Sequence, residues 1–388
     1  MRILHTSDWH LGRSFHRVGM LEHQATYVDH LLDVVASERV DLVVVAGDIY
    51  DRALPHVDAV RLADETLARL AASRARVVIT SGNHDSAQRL GFGSRLIDAA
   101  GIHLRTDASS VGTPIVVDDE HGPVAVHGIP YLDPQALHEP WGLAARTHEA
   151  ALAEAMRRVR ADLAARPTRS VVLAHAFVAG GLPSDSERDI SVGGVSVVTS
   201  ALFDDISYTA LGHLHGRATL GETLRYSGSP LAYSFSEAGH TKGGWLVDLG
   251  RDGVTGTTFI EAPVPRRLSV LTGDLEALLT DPRLASAEVH WVQATLTDEV
   301  RPDRPMERLR ARFPHALVLS FAPAGTPAPS VVAAPRGRSD HQISLDFVEE
   351  LRGSPASDDE SALLLRACDA CADDPDVDML VTAANGSG

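Results

Sequence analysis

The sequence predicts an α/β protein in which two sheets lie between layers of helices, a four-layer αββα sandwich. Two observations predict it. Short β-rich runs alternate with amphipathic stretches over the first 260 or so residues, and each run ends in Gly, Asp, Asn or His. The polar residues after those runs form five compact clusters, the expected place for a ligand site in a layered α/β fold.

The strands are expected at Arg2–Thr6, Leu42–Ala46, Val77–Thr80, Val124–Gly128, Val171–Ala174, Tyr208–Leu211 and Gly244–Leu249. Helical spacing marks Leu21–Ser37, Val57–Ala72, Ala87–Ala99 and Thr147–Ala165. Alternation stops at Ala262-Pro263-Val264-Pro265, which reads as a linker. A small α+β unit over 266–322 follows, with strands Arg267–Leu271, Val289–Leu296 and Ala316–Ser320 and helices Leu275–Thr280 and Pro305–Arg312. Residues 323–340 are rich in Pro, Ala and Gly and read as a flexible linker. A helical segment over 341–382 closes the chain, with a break at Gly353-Ser354-Pro355, and Ala383–Gly388 is expected to be disordered. The main domain is thus 1–262.

Composition narrows the function classes. The 388 residues are 44% hydrophobic and 22% charged, as in a water-soluble globular protein. No apolar run approaches the roughly 20 residues that span a bilayer. Arg2-Ile3-Leu4 begins a strand, not a signal peptide, so a cytoplasmic location and no membrane partner are expected. Only Cys368 and Cys371 occur, which excludes a disulfide framework, and their C-x-x-C spacing reads as incidental. A net charge of −17 by itself argues against nucleic acid. That charge is uneven, however, with acid gathered after Asp358 and arginine between Arg266 and Arg312.

The clusters carry the chemistry. "TSDWHLG" supplies Asp8 and His10, "AGDIYD" Asp48 and Asp51, "SGNHD" Asn83, His84 and Asp85, "LAHAF" His175, and "LGHLHG" His213 and His215. Oxygen and nitrogen donors without thiolate suit Mn²⁺, Fe²⁺ or Zn²⁺ better than a structural zinc. The i, i+2 spacing of Asp8/His10 and His213/His215 is that of two side chains on one face of a strand. Glycine at 82 is expected to allow a sharp exit from its strand. Seven ligands are too many for one tetrahedral ion and about right for two, the arrangement that clamps both oxygens of a phosphoryl displacement.

In order, D-x-H, G-D-x-x-D, G-N-H-D, a single His and G-H-x-H resemble the motifs of the calcineurin-like metallophosphoesterases. "MRILHTSDWHLGRSF", "GDIYDRALP", "YSGSPLAYSFSEAGHTKG" and "FVEELRG" are similar to its SbcD nuclease branch. The resemblance implies that Asp8, His10, Asp48 and His215 hold one divalent ion, and Asp48, Asn83, His175 and His213 a second, with Mn²⁺ expected. It implies that His84 is the catalytic imidazole that protonates the leaving oxygen and that Asp51 orients it. Archaeal and eukaryotic relatives usually carry His at that position. Asp85 is expected to support the turn. Arg13, His16 and Arg17 are expected to touch the DNA backbone, with a solvated loop as the alternative. The small domain's arginines form either a DNA-facing patch or an ordinary charged helix face.

The resemblance further implies a homodimer through helices near Val57–Ala72 and Ala87–Ala99. It implies an SbcC-like ATPase partner docking on tail helices that carry Leu345, Phe347, Val348, Leu351 and Leu363–Leu365. No G-x-x-x-x-G-K-[ST] motif is present, so ATP dependence would come from that partner. The expected activity is exonuclease on double-stranded DNA and endonuclease on single-stranded or hairpin DNA. A stand-alone phosphoesterase for small phosphoesters and an inactive scaffold of the same fold are the competing readings.

Overall fold

The computed structural model describes residues 1–190, 197–323, 339–352 and 354–372. The expected linker falls largely on 324–338, and the expected disordered end on 383–388; both lie outside the described residues.

Two six-stranded sheets form the centre. The first runs Val254–Glu261, Gly243–Leu249, Arg2–Thr6, Leu42–Ala46, Arg76–Thr80, Ile102–Arg105. The second runs Ala218–Thr219, Leu224–Tyr226, Tyr208–Gly212, Arg169–His175, Gly122–Ile129, Ile115–Asp119. Inner strands pair parallel, so their carboxyl ends leave each sheet on one side.

Side-chain alternation builds the layers. Leu42 and Val44 point into the space between the sheets with Ile3, Val78, Val124, Val126, Val171, Leu173, Tyr208 and Ala210. Val43, Val45, Val77 and Ile79 point the other way, onto the helices Leu21–Ser37 and Val57–Ala71. Val172, Ala174 and Leu211 face the helix His148–Ala165, which Thr147 caps through the amide of Ala150. Both faces of each inner strand are buried, which explains their unbroken apolar sequence. The four-layer sandwich is therefore the fold.

Sequence and structure differ in particular places. The helix expected over Ala87–Ala99 is two single turns, Ala87–Leu90 and Ser94–Ile97, because Gly91 ends the first and Gly93 turns left-handed at φ 73°. The edge strands Ile102–Arg105, Ile115–Asp119, Ala218–Thr219 and Val254–Glu261, and Leu224–Tyr226 next to an edge, are not marked by the sequence pattern. They are short or amphipathic, and neighbouring strands supply their ladder.

Residues 268–321 form a three-stranded parallel sheet, Leu268–Gly273, Trp291–Leu296 and Ala316–Phe321, with helices Leu275–Thr280 and Pro305–Arg312 around Val292, Leu309 and Phe313. It packs on the main sandwich through Trp291, which stacks on Phe15 at 5.0 Å beside Tyr233 and Phe235.

The chain divides into two compact units at residue 324. In the second, the helices Asp340–Arg352 and Asp358–Ala372 pair with each other. Arg352 bonds Glu360 at 2.9 Å, and Ser357 and Glu360 form a reciprocal cap. Among the described residues no helix is long and apolar enough to cross a membrane.

Candidate metal centre

Four of the seven expected ligands sit on backbone that side chains rarely adopt. Asp8, His10, Asp48 and His213 have φ of 53°, 47°, 51° and 102°. Strand alternation therefore does not pair Asp8 with His10, or His213 with His215. The strands end at Thr6 and Gly212, and strained loops turn the ligands inward.

Glycines make the approach possible. A Cβ on Gly47 would lie 2.2 Å from His175 Nδ1, one on Gly82 2.1 Å from Asp48 Oδ1, and one on Gly212 1.8 Å from the Ala46 carbonyl. The Gly before Asp48 and the Gly before Asn83 thus leave room for another strand's donor side chain, and the Gly before His213 leaves room for the Ala46 main chain. Gly82 itself is not left-handed, so the expected sharp exit is not its reason.

All seven expected ligands converge, and donors crowd together in two overlapping sets. Asp8, His10 and His215 offer atoms within 4.8 Å of one another, as do Asp8, Asp48 and His175. His10 Nε2 is 3.0 Å from His215 Nε2 and 3.6 Å from Asp48 Oδ2. On the other side, Asn83 Oδ1 is 2.9 Å from His175 Nε2 and 3.2 Å from His213 Nδ1. Asp8 accepts from Ser7 Oγ at 2.5 Å and from the His213 amide at 3.0 Å.

These side chains fit cations. His175 Nδ1 donates to the Ala46 carbonyl at 2.9 Å, which leaves Nε2 facing Asn83 Oδ1 and, at 3.4 Å, Asp48 Oδ2. Three acceptors that close need a positive charge between them. In the chain alone that charge is a proton: burial opposes it, but Asp48 and Asp8 outweigh burial and push His175 up to about 9. Burial lowers His10 well below its ordinary range and takes His213 to about 3, so both are neutral donors. Burial also raises Asp8 to about 6.

His84 lies at the rim, 8% exposed, its ring 4.6 Å from that of His10. Its Nδ1 donates to the Asp51 main-chain carbonyl at 2.7 Å. The Asp51 carboxylate stands 4.0 Å from that nitrogen and meets Arg13 at 3.6 Å and Arg52 at 3.5 Å. His84 Nε2 faces outward by elimination. His84 also groups with His10 and Asp48 as a possible donor set. Asp85 is half-buried and accepts from the amides of Ile49, Tyr50 and Gly82 at 2.9–3.1 Å, tying two ligand loops together. Burial and the Asp48 charge push it up to about 7.

Arg13 is largely engaged: it donates to the Ser186 carbonyl at 2.6 Å and stacks 5.1 Å from the Tyr233 ring centre. His16 and Arg17 are exposed at a hairpin tip, both left-handed, and the His16 ring lies 5.1 Å from that of Phe235. Most small-domain arginines are spent within that domain. Arg266 bonds the Val289 carbonyl, Arg308 Glu276, Arg310 the Ala316 carbonyl and Arg312 Glu288.

Several contributors escaped the sequence reading. Gln24, Ser186, Tyr233, Glu237 and Lys242 are buried around His10 and His215, and exposed Arg188 bonds the Asn83 carbonyl at 3.3 Å beside His84. The signals were Lys242, the only lysine beside 34 arginines, and the stretch YSGSPLAYSFSEAGHTKG that holds Tyr233, Glu237 and Lys242.

Solved structures with a similar chain path include TT1561 of Thermus thermophilus, at 12% identity and a TM-score of 0.38 over 66% of this chain and 98% of that one. An archaeal phosphodiesterase matches at 11% identity and 0.30, over 67% of this chain and 100% of that one. The calcineurin-like phosphoesterase YfkN from Bacillus subtilis matches at 13% and 0.32, over 67% and 88%. The decisive match is to the family model for calcineurin-like phosphoesterases, over residues 1–217. That stretch is more than half of the chain and ends just past His215, so this protein belongs to the calcineurin-like phosphoesterases, a family of hydrolases that bind two divalent metal ions.

Proposed function

We propose that this phosphoesterase is a DNA nuclease subunit of the SbcD type. It hydrolyses phosphodiester bonds of double-stranded DNA as an exonuclease, and of single-stranded or hairpin DNA as an endonuclease, in repair and recombination. The observation that carries the hydrolytic part is the two overlapping donor sets with His84 on their open side. The SbcD-like stretches at 1–15, 226–243 and 347–353 support the nuclease part.

Asp8, His10, Asp48 and His215 would hold one cation and Asp48, Asn83, His175 and His213 the other, with Mn²⁺ as the ions. Bound there, the cations supply Lewis acidity, neutralising phosphate charge and acidifying water. The chain's residues do the rest. Asp85 and its three amides hold the Asp48 and Asn83 loops in register. His84, its Nδ1–H fixed on the Asp51 carbonyl, presents Nε2 to the leaving group. Water adds to phosphorus and releases one proton to solvent, the P–O ester bond breaks, and His84 Nε2 gives its proton to the departing oxygen and is reprotonated from solvent. Burial lowers the His84 pKa, so the phosphate's negative charge is what draws the second proton onto the ring.

The partners in this reading are a second copy and an SbcC-like ATPase, in the cytoplasm. Leu54, Val57, Phe92 and Leu96 are 65–85% exposed, and Arg89 ties the two segments together through the Ala53 carbonyl at 3.0 Å. That exposed apolar set supports a homodimer face. Phe347 and Leu363, each 60% exposed on the tail helices, support the ATPase contact.

One observation favours a general phosphoesterase instead: the small domain spends most of its arginines on itself. The test uses the full chain with and without Mn²⁺ on linear duplex, hairpin DNA and a chromogenic phosphodiester, with His84→Ala as the control. The nuclease reading expects Mn²⁺-dependent DNA cleavage that His84→Ala abolishes without loss of bound metal. Cleavage of the small ester alone, with or without an SbcC-like partner, overturns it.

A further inference from the structure

Residues 227–242 lie beyond the stretch that the family model matches, and none of the five ligand clusters falls in them. Yet two of their buried side chains reach the backs of His10 and His215. We propose that this segment positions the His10/His215 half of the metal centre, with Tyr233 and Glu237 as its positioning residues, and so sets cation affinity in that half alone. The inference rests on the metal-site reading above.

Tyr233 works on the His10 side. Its hydroxyl donates to the Trp9 carbonyl at 2.7 Å and accepts from Gln24 Nε2 at 2.9 Å. Gln24 also donates to the His10 carbonyl at 2.8 Å and accepts the Gly12 amide at 2.9 Å. Together they pin main-chain groups of residues 9, 10 and 12. This loop needs pinning, because Asp8 and His10 both hold left-handed backbone, at φ 53° and 47°, which side chains disfavour. The Tyr233 ring stands edge-on to both imidazoles, 5.6 Å from His10 and 6.0 Å from His215.

Glu237 works on the His215 side through Ser186. Ser186 Oγ donates to Glu237 Oε1 at 2.5 Å, so it accepts from His215 Nδ1, also at 2.5 Å. That chain of bonds places the imidazole proton on Nδ1. It leaves Nε2 as a free donor pair aimed at His10, as an outer partner does for a metal-binding histidine. Glu237 also accepts the Tyr233 amide at 3.2 Å, which couples the two arms. Lys242 balances its charge and donates to the His215 carbonyl at 2.8 Å and to Ser229 Oγ at 3.0 Å. A buried ion pair adds little net stability, so position is its stronger return. None of these bonds reaches Asn83, His175 or His213.

The test is calorimetric titration of the full chain with MnCl₂. The wild-type chain takes up two equivalents. Tyr233→Phe keeps the ring and loses the hydroxyl; Glu237→Gln keeps the shape and loses the charge. Each is expected to weaken one equivalent about 10–100-fold and leave the other within about twofold. The weakened equivalent is expected to be the one that His10→Ala abolishes and His213→Ala spares. Two unchanged equivalents in Tyr233→Phe, or two that weaken together, overturn the inference. If Glu237→Gln fails to fold because Lys242 is stranded, Tyr233→Phe decides. A wild-type chain that takes up no Mn²⁺ overturns the metal-site reading itself, a distinct outcome.

Discussion

Gly82→Ala adds one methyl group at the most crowded point of the site. The new Cβ would lie 2.1 Å from Asp48 Oδ1, 2.4 Å from the Asp48 amide nitrogen and 2.6 Å from its Cγ. Ordinary contact begins at 3.4 Å, so the carboxylate must recede by about 1.3 Å. It cannot rotate away alone, because the main-chain nitrogen is in the same position. The loops 47–48 and 82–84 must therefore separate, against the Asp85 bonds and the His84 amide's 2.9 Å bond to Asp48 Oδ1. Overpacking of this kind costs about 1–3 kcal/mol. Gly82 is not left-handed, so backbone strain adds nothing, and the chain is expected to fold with a lowered Tm. Function should suffer more, since Asp48 stands between both donor sets. A displacement of about 1 Å costs on the order of 100-fold in rate. Hydrolysis of a chromogenic phosphodiester, Mn²⁺ titration and a thermal melt measure the three effects. Gly221→Ala is the control, with open space around its Cβ. Wild-type metal affinity and a rate within about threefold of wild type in Gly82→Ala would refute the reasoning.

Asp119 pairs with Arg169 through two bonds of 2.5 and 2.9 Å, and that guanidinium holds its carboxyl well below the usual range. The contribution is present above the ordinary carboxylate pKa and fades as pH falls through the depressed one. Asp119→Asn is expected to lose about 1–3 kcal/mol at pH 7, with the gap to wild type closing in urea melts below about pH 3. Leu173 is fully buried between the sheets, and Leu173→Ala is expected to cost about 2–5 kcal/mol in urea unfolding; less than about 1 kcal/mol would mean a loosely packed centre. Phe92 and Leu96 are 85% and 83% exposed, so the double change Phe92→Glu, Leu96→Glu is expected to turn a dimer into a monomer by light scattering, with activity on a small ester retained. A wild-type monomer at micromolar concentration would sink the homodimer reading.

Much was legible in the sequence because it is local chemistry. The inner strands need two buried faces, so their residues are apolar without interruption, and a composition of that kind can be read without coordinates. The same holds for the helix Leu21–Ser37 and for the strands and helices of the small domain. Ligand identity is also local: Asp, His and Asn after Gly stand out at the ends of such strands. The tertiary structure decided why the glycines are there. Gly47 and Gly82 make room for the side chains of His175 and Asp48, and Gly212 for the main-chain carbonyl of Ala46, and no window along the chain contains both parties. It also decided how the ligands meet, through left-handed loops and not through strand alternation. Tyr233 is more than 200 residues from Trp9 in sequence and bonded to it in space. Its stretch, YSGSPLAYSFSEAGHTKG, is recognisable in the sequence, but the backbone it holds is not. The order of the chain determined which groups could do the chemistry, and only the packing of distant segments, through bonds a few ångströms long, decided which of them meet and what keeps them in place.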